Sequence, residues 1–417
     1  MKILVLCDDF PPHHAGGAGT VAFSFAQEMQ RHGHTVHIIT TVRTKGDAGV
    51  GEIAGMHIHR IWSIYDLRFQ AYVSMYNPRV VWQVHTLISE YKPDIVHAHN
   101  VHAYLSYASL MVAKRSGARV ILTAHDVMSF NYGKLVEYIN PNTLSIPTSF
   151  NYRTHWMYQL KTQRFRYNPF RNYIIRYILR TYVDRIVAVS SALKQALQDN
   201  GIKHVDVIYN GIDIKKWEVA PAVVQTFQNA HGIGSSAILF GGRLAGVKGT
   251  KQILDALVLI TREVPTVQLV VFGNTETTTA RMTVYAREVG VLKHVIFVGW
   301  IVGEDLHTLY HACAVVVVPS LSFDSFPTVN LEAFACKKPV VATCFGGSSE
   351  IVREGINGYV VNPFDVSHMA KKISYLLSNP SMARAYGNAG YAMIERQCTL
   401  DMQTCSYEVL FEELRGM

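Results

Sequence analysis

Short apolar runs alternate with helix-length amphipathic stretches along almost the whole chain, and no other feature limits the choice of fold so strongly. Strand-like runs fall at residues 3–7, 35–40, 94–98, 120–123, 186–189 and 205–208, with helical patterns between most of them, notably 19–31 and 79–91. Apolar runs separated by helices are the signature of parallel α/β sheets. At Tyr209-Asn210-Gly211-Ile212-Asp213 the alternation stops on an Asn-Gly turn signal, and an irregular stretch follows through Ala222. It restarts with strands at 237–241, 268–272, 295–298, 314–318 and 340–342. The spacing predicts an α/β chain of two doubly wound domains, 1–209 and 210–400, with a last helix at 401–417 able to pack back toward the first. Open parallel sheets take ligands at the carboxyl ends of their strands, so two such domains facing each other predict a cleft.

The 417 residues suffice for two or three cores, and 49% apolar against 17% charged residues exclude general disorder. The apolar start closes at Asp8-Asp9, too soon for a signal peptide, and no apolar run nears the roughly 20 residues that span a bilayer. Six cysteines without a C-x-x-C pair support neither a disulfide framework nor a zinc ribbon. A cytoplasmic setting is expected. The net charge of +8 divides unevenly: 24 basic and 14 acidic residues through Lys216 make +10, and 15 against 17 beyond it make −2. Much of the excess lies in an insertion at 127–182, where Arg153, Lys161, Arg164, Arg166, Arg171, Arg176 and Arg180 interleave with Trp156, Phe165, Phe170, Tyr173 and Tyr177. Such a segment suits an anionic membrane surface or a solvated helical face over an acceptor site. Nucleic acid is the least favoured partner.

Four clusters offer chemistry. Gly16-Gly17-Ala18-Gly19 opens a helix after the first strand, where small residues admit an anion to backbone amides and the helix dipole. Gly17 to Ala22 also fits G-x-G-x-x-A, but nine residues separate it from the strand end, and Thr40-Thr41 supplies no acid for a ribose. A plain structural turn is the other reading. His97-Ala98-His99 and Thr123-Ala124-His125-Asp126 end two strands. Alternation puts His97 and His99 on one face, so a metal pair completed by His125 or Asp126 competes with a polar role in the cleft and with satisfied sheet-edge histidines. No H-E-x-x-H spacing supports the metal, and His125 is the strongest single candidate.

Gly242-Arg243-Leu244 and Lys248-Gly249 follow the first strand of the second domain. An Arg fork and a Lys point charge there can converge on a diphosphate; two solvated cations are the alternative, and there is no P-loop pattern. Last, in Asp324-Ser325-Phe326-Pro327-Thr328-Val329-Asn330-Leu331-Glu332, Pro327 suits a first helical turn whose amides at Thr328 and Val329 would face an anion. Asp324 and Glu332, spaced D-x7-E, would accept from sugar hydroxyls; the alternative is an N-terminal acid plus a surface Glu.

In order and spacing these pieces, with the later Gly346-Gly347-Ser348-Ser349-Glu350, resemble a family-4 retaining glycosyltransferase of the GT-B fold, two Rossmann-like domains across a cleft. The likeness runs from the first strand to the final helix. It implies a hexosyltransferase that uses a nucleotide-diphosphate sugar and no metal or other cofactor. Arg243 and Lys248 would grip the diphosphate with help from Gly16 and Gly17, and Glu332 would hold the ribose. Asp324, with amides around Phe326, Pro327, Thr328 and Val329, would hold the sugar, and His125 would lie near the reaction centre. The base would sit near Gly273 and Trp300. Two departures stand out: Asp324 and Phe326-Pro327 replace the family's Glu and Phe-Gly, as in enzymes of surface polysaccharide assembly, and Lys337-Lys338 replaces a glycine, read as a surface change. The implied acceptor is a saccharide or lipid-linked saccharide, with the protein peripheral on the inner membrane face. Domain closure about Asn210-Gly211 would align the substrates. A nucleotide-sugar epimerase of the same architecture and a non-catalytic nucleotide-sugar-binding protein remain as alternatives.

Overall fold

Fourteen strands form two sheets in a computed structural model that describes residues 1–13, 16–242, 244, 246–273 and 275–416. The first sheet contains β1 (Lys2–Cys7), β2 (Thr35–Val42), β3 (Gly49–Ile53), β4 (Met56–Trp62), β5 (Ile95–Ala98), β6 (Arg119–Ala124), β7 (Arg185–Ala188) and β8 (Val205–Val207), in the order β3-β4-β2-β1-β5-β6-β7-β8. All neighbours are parallel except β3 and β4. The second contains β9 (Ala237–Gly241), β10 (Gln268–Phe272), β11 (Val295–Gly299), β12 (Val315–Val318), β13 (Val340–Thr343) and β14 (Gly358–Val361), all parallel, in the order β11-β10-β9-β12-β13-β14.

The chain forms two units. The first is residues 1–138, 151–211 and 400–417, and the second is residues 139–150 and 212–399. The expected insertion at 127–182 is therefore divided: 139–150 group with the second unit, where the Asn362 amide donates to the carbonyls of Thr143 and Ser145 at 2.7 and 3.1 Å. Arg171, counted above with the insertion's charge, is buried, and its guanidinium donates to the Met128 carbonyl at 2.6 Å.

Burial explains the elements. Val315 to Val318 are β-branched and buried on both faces, as a central parallel strand requires. Helix Gly17–Arg31 lays Ala22, Phe25, Ala26 and Met29 on the first sheet at helical spacing. The last helix, Leu400–Arg415, adds Tyr407, Phe411 and Leu414 to the same core. Three strands escaped the sequence reading. β3 is an exposed edge with two glycines, joined to β4 through Ala54 and Gly55 at φ 50° and 77°, and β14 is only four residues long.

Strand order locates the reactive edges. Sheet order reverses between β1 and β5 in the first unit, and between β9 and β12 in the second. The loops leaving such a pair diverge and open a crevice at the strand carboxyl ends.

Candidate active site

In the second unit the loops after β9 and β12 are stitched together. The Leu321 amide donates to the Val247 carbonyl at 2.7 Å. Gly249 has φ +77°, and a Cβ there would stand 2.1 Å from the Pro319 carbonyl oxygen, so only glycine allows this approach. Lys248 is thereby aimed across the crossover: its ammonium donates to Asp324 Oδ2 at 2.7 Å and to Ser320 Oγ at 3.4 Å. The Ser320 hydroxyl donates to the same carboxylate oxygen at 2.9 Å. Arg243 lies outside the described residues.

Asp324 is fixed through its backbone. Its amide donates to the Phe345 carbonyl at 3.2 Å, and its carbonyl accepts from the Gly347 amide at 2.9 Å. Gly346, at φ +103°, leaves no room for a Cβ, which would lie 2.2 Å from the Asp324 oxygen. Helix Thr328–Ala335 begins beside this carboxylate with Pro327 at its N-cap, one position ahead of the expected first turn, and no side chain caps it. Its first amides lack helical acceptors, and Phe326 is buried, so at that residue only the backbone is on offer.

Glu332 lies partly buried on the same helix. It accepts from the Tyr310 hydroxyl at 2.5 Å, and the Thr328 hydroxyl lies near enough to favour its charged form. Burial raises its carboxyl above the ordinary range although both hydroxyls oppose this, and burial with the Glu332 charge pushes Tyr310 well above a normal phenol. Gly273, at φ +72°, packs so closely that a Cβ would stand 2.3 Å from the Gly242 carbonyl oxygen. Trp300, after β11, is 59% exposed. Ser320 and Tyr310 were missed by the motif reading. Ser320 lies two residues past the carboxyl end of β12, which was a usable signal; Tyr310 reaches Glu332 only through packing. Lys338 is no surface change, because its ammonium donates to the His311 carbonyl at 2.8 Å and burial lowers its pKa. Its neighbour Lys337 stands at φ +55°, where glycine would be unstrained.

In the first unit Asp8 ties the two diverging loops. Its carboxylate accepts from the amides of Ala103, Tyr104 and Leu105 at 2.7, 2.8 and 2.7 Å. Gly16 is the N-cap of helix Gly17–Arg31 without a side-chain cap. Gly17 has open space around it, whereas a Cβ on Gly19 would lie 2.4 Å from the Asp9 carbonyl oxygen. Gly19 is thus the glycine that close packing demands.

The histidines separate into two kinds. His97 is sealed in the core against Phe25, Tyr407 and Phe411, with Nε2 2.7 Å from the Thr123 hydroxyl, so it is not the cleft residue that alternation allowed. His99 and His125 meet at 2.8 Å between Nδ1 and Nε2. Burial lowers His97 to about 3 and His125 to about 4, the latter against the opposing pull of Asp126, and holds His99 well below its usual value. All three are neutral near pH 7. Side chains close enough to share a metal ion, His32 with Cys405 and Glu408, and Glu28 with His32 and Asp401, sit instead where helix Gly17–Arg31 ends, ahead of β2.

Two doubly wound parallel sheets, each with a crevice at a strand-order reversal, define the GT-B class of glycosyltransferase folds. Residues 15–216 match glycosyltransferase family 4, and residues 225–393 match the glycosyl transferases group 1. An uncharacterized glycosyltransferase of Methanocaldococcus jannaschii is 25% identical over 390 residues, 91% of this chain and 90% of its own. A sucrose-phosphate synthase from Thermosynechococcus elongatus shares the fold with a TM-score of 0.78 at 20% identity, over 100% of this chain and 99% of its own. Anabaena HepE, solved in complex with UDP-glucose, shares it with a TM-score of 0.74 at 18% identity, over 100% of both chains. The chain belongs to the family-4 glycosyltransferases, and it is an enzyme that transfers a sugar. Among the described residues no helix is long and apolar enough to cross a membrane.

Proposed function

We propose that the chain transfers a hexosyl group from a nucleotide-diphosphate sugar to a saccharide or lipid-linked saccharide, with retention and without a metal, in polysaccharide or glycoconjugate assembly. The observation that carries this reading is the convergence of Lys248, Asp324 and the uncapped helix Thr328–Ala335 at the second sheet's reversal point. The complex of HepE with UDP-glucose supports the donor class through the shared fold.

In this mechanism the diphosphate competes with Asp324 for the Lys248 ammonium. Lys248 and Arg243, with the helix amides, offset charge developing on the leaving phosphate oxygen, the contribution that often dominates catalysis. Asp324, released, accepts from the donor sugar, and Glu332 accepts from the ribose. Gly16 and Gly17 offer amides to the diphosphate, and the base lies by Gly273 and Trp300. The bond from the anomeric carbon to the diphosphate breaks while the acceptor oxygen bonds on the same face. The acceptor proton passes to the departing diphosphate oxygen. His125, neutral, orients hydroxyls and removes no proton.

A lipid-linked acceptor is supported by the insertion's outer face. Phe165 is 95% exposed, and Phe170, Tyr173, Arg176, Tyr177 and Arg180 are exposed around helix Arg171–Tyr182. Each basic residue near an anionic bilayer contributes about 1 kcal/mol. Flotation with vesicles tests this: binding should need anionic lipid and weaken in Arg176→Gln/Arg180→Gln, and binding indifferent to lipid charge would remove the membrane role. Retention and metal independence are read by NMR of the product's anomeric proton, with and without chelator. An inverted product, or loss of transfer in chelator, would contradict them.

A further inference from the structure

The first unit holds a groove that none of this uses. It lies between the β3–β4 hairpin and helix Pro78–Tyr91 and encloses about 530 Å³, within the range of small-molecule sites. Trp62 and Trp82 wall it, Lys45 and Arg60 bring positive charge, and Gln83 and Thr86 add hydrogen-bonding groups.

Its charge is unpaired. Neither Lys45 nor Arg60 meets a carboxylate among the described residues, and Arg60 Nε is buried without a hydrogen-bond partner. A guanidinium partly out of water is costly until an anion or acceptor meets it. The Arg60 guanidinium lies over Gly51, with a nitrogen 2.7 Å from where a Cβ would stand.

The apolar walls are equally specific. Trp82 is 70% exposed on its helix, and Trp62 is anchored by its indole N–H on the Arg43 carbonyl at 3.2 Å. A flat indole face covers the C–H face of a pyranose ring, and its polar edge stays in water. Two such faces, two free cations and two amide or hydroxyl groups match a sugar chain that carries carboxylates or phosphates. They match an apolar peptide poorly.

The groove also has a direction. Trp62 ends β4 and stands level with Val42 at the end of β2. The next residue of that strand's exit, Arg43, donates to Asp9 in the loop after β1. The groove therefore reaches the carboxyl rim of the first sheet, on the β3–β4 side of the point where the loops after β1 and β5 diverge.

We infer that this groove holds the outer, negatively charged sugars of an extended acceptor, an inference that rests on the saccharide transfer proposed above. Titration calorimetry without any donor tests it, using a hexamer of α-1,4-linked galacturonate and, as the uncharged probe, maltohexaose. The galacturonate hexamer should bind at least tenfold more tightly than maltohexaose. Trp82→Ala and Lys45→Gln should each weaken it at least tenfold, while Lys92→Gln, at the exposed end of the same helix, should not. Both test positions are on the surface, and thermal unfolding confirms that the variants fold. No binding of the galacturonate hexamer, equal affinity for the two hexamers, or unchanged affinity in the two groove variants would overturn the inference. No nucleotide sugar is involved, so failure here leaves the donor site standing, and failure of the donor site leaves this groove standing.

Discussion

Lys248 and Asp324 meet at 2.7 Å and join the loop after β9 to the loop after β12, at the point where the strand order of the second sheet reverses. The pair is partly buried and shares Ser320, so Lys248 is held in place and is not a solvated surface cation. Partial burial strengthens the pair relative to an exposed one and makes each member sensitive to loss of the other.

Lys248→Ala and Arg243→Ala should each lower turnover by more than tenfold, which is about 1.4 kcal/mol or more of lost transition-state stabilisation. Circular dichroism should show an intact fold in both. Steady-state transfer rates close to wild type would remove the diphosphate assignment.

Glu332→Gln should weaken nucleotide binding. Its raised carboxyl pKa sets a sign: as pH falls through that value Glu332 gains a proton and can no longer accept two hydrogen bonds from ribose hydroxyls. Wild-type nucleotide affinity should therefore decline toward acid, the decline should begin above the pH range in which an ordinary carboxylate titrates, and the Gln variant should be weaker and flatter. Calorimetry at several pH values checks both, and parallel curves would argue against the ribose role.

Gly346→Ala tests the backbone support of Asp324. The left-handed φ and the missing Cβ space should cost about 1–3 kcal/mol, seen as a lower unfolding midpoint. Donor affinity should fall as well, because the strain is relieved by moving Asp324. A variant with wild-type stability and affinity would show that the loop adapts without effect on the site.

Acid stability follows from the histidines. His97 and His125 titrate at about 3 and about 4 in the folded chain, against an ordinary 6.5 once unfolded. The unfolded chain takes up these protons first, so stability from this source is constant above about pH 6.5 and lost as pH falls toward 3 or 4. Unfolding midpoints should drop across that window, and His97→Leu should flatten the slope.

Much of this was legible in the sequence because local pattern sufficed. Val315 to Val318 could only be a buried strand, and the residues following β9 and β12 could be placed at a carboxyl edge without knowing the rest of the sheet. What depended on distant packing was not. Alternation put His97 and His99 on one face, but that face became core only because Tyr407 covers it, with its hydroxyl 2.7 Å from Thr123 and 284 residues away in sequence. Tyr310 finds Glu332 in the same way. Arg171 looked like its basic neighbours until Ser74 and Met128 enclosed it. The β3–β4 hairpin was hidden because glycines and histidines blur its period of two.

The central claim is that the crossing of the loops after β9 and β12 binds a nucleotide-diphosphate sugar. Thermal unfolding in the presence of UDP-, GDP- and ADP-sugars tests it most directly, because a ligand that binds only the native state raises its apparent stability. At least one of these donors should raise the midpoint of the wild type, and the same donor should leave Lys248→Ala nearly unshifted. No shift with any donor, or an equal shift in Lys248→Ala, would contradict the account.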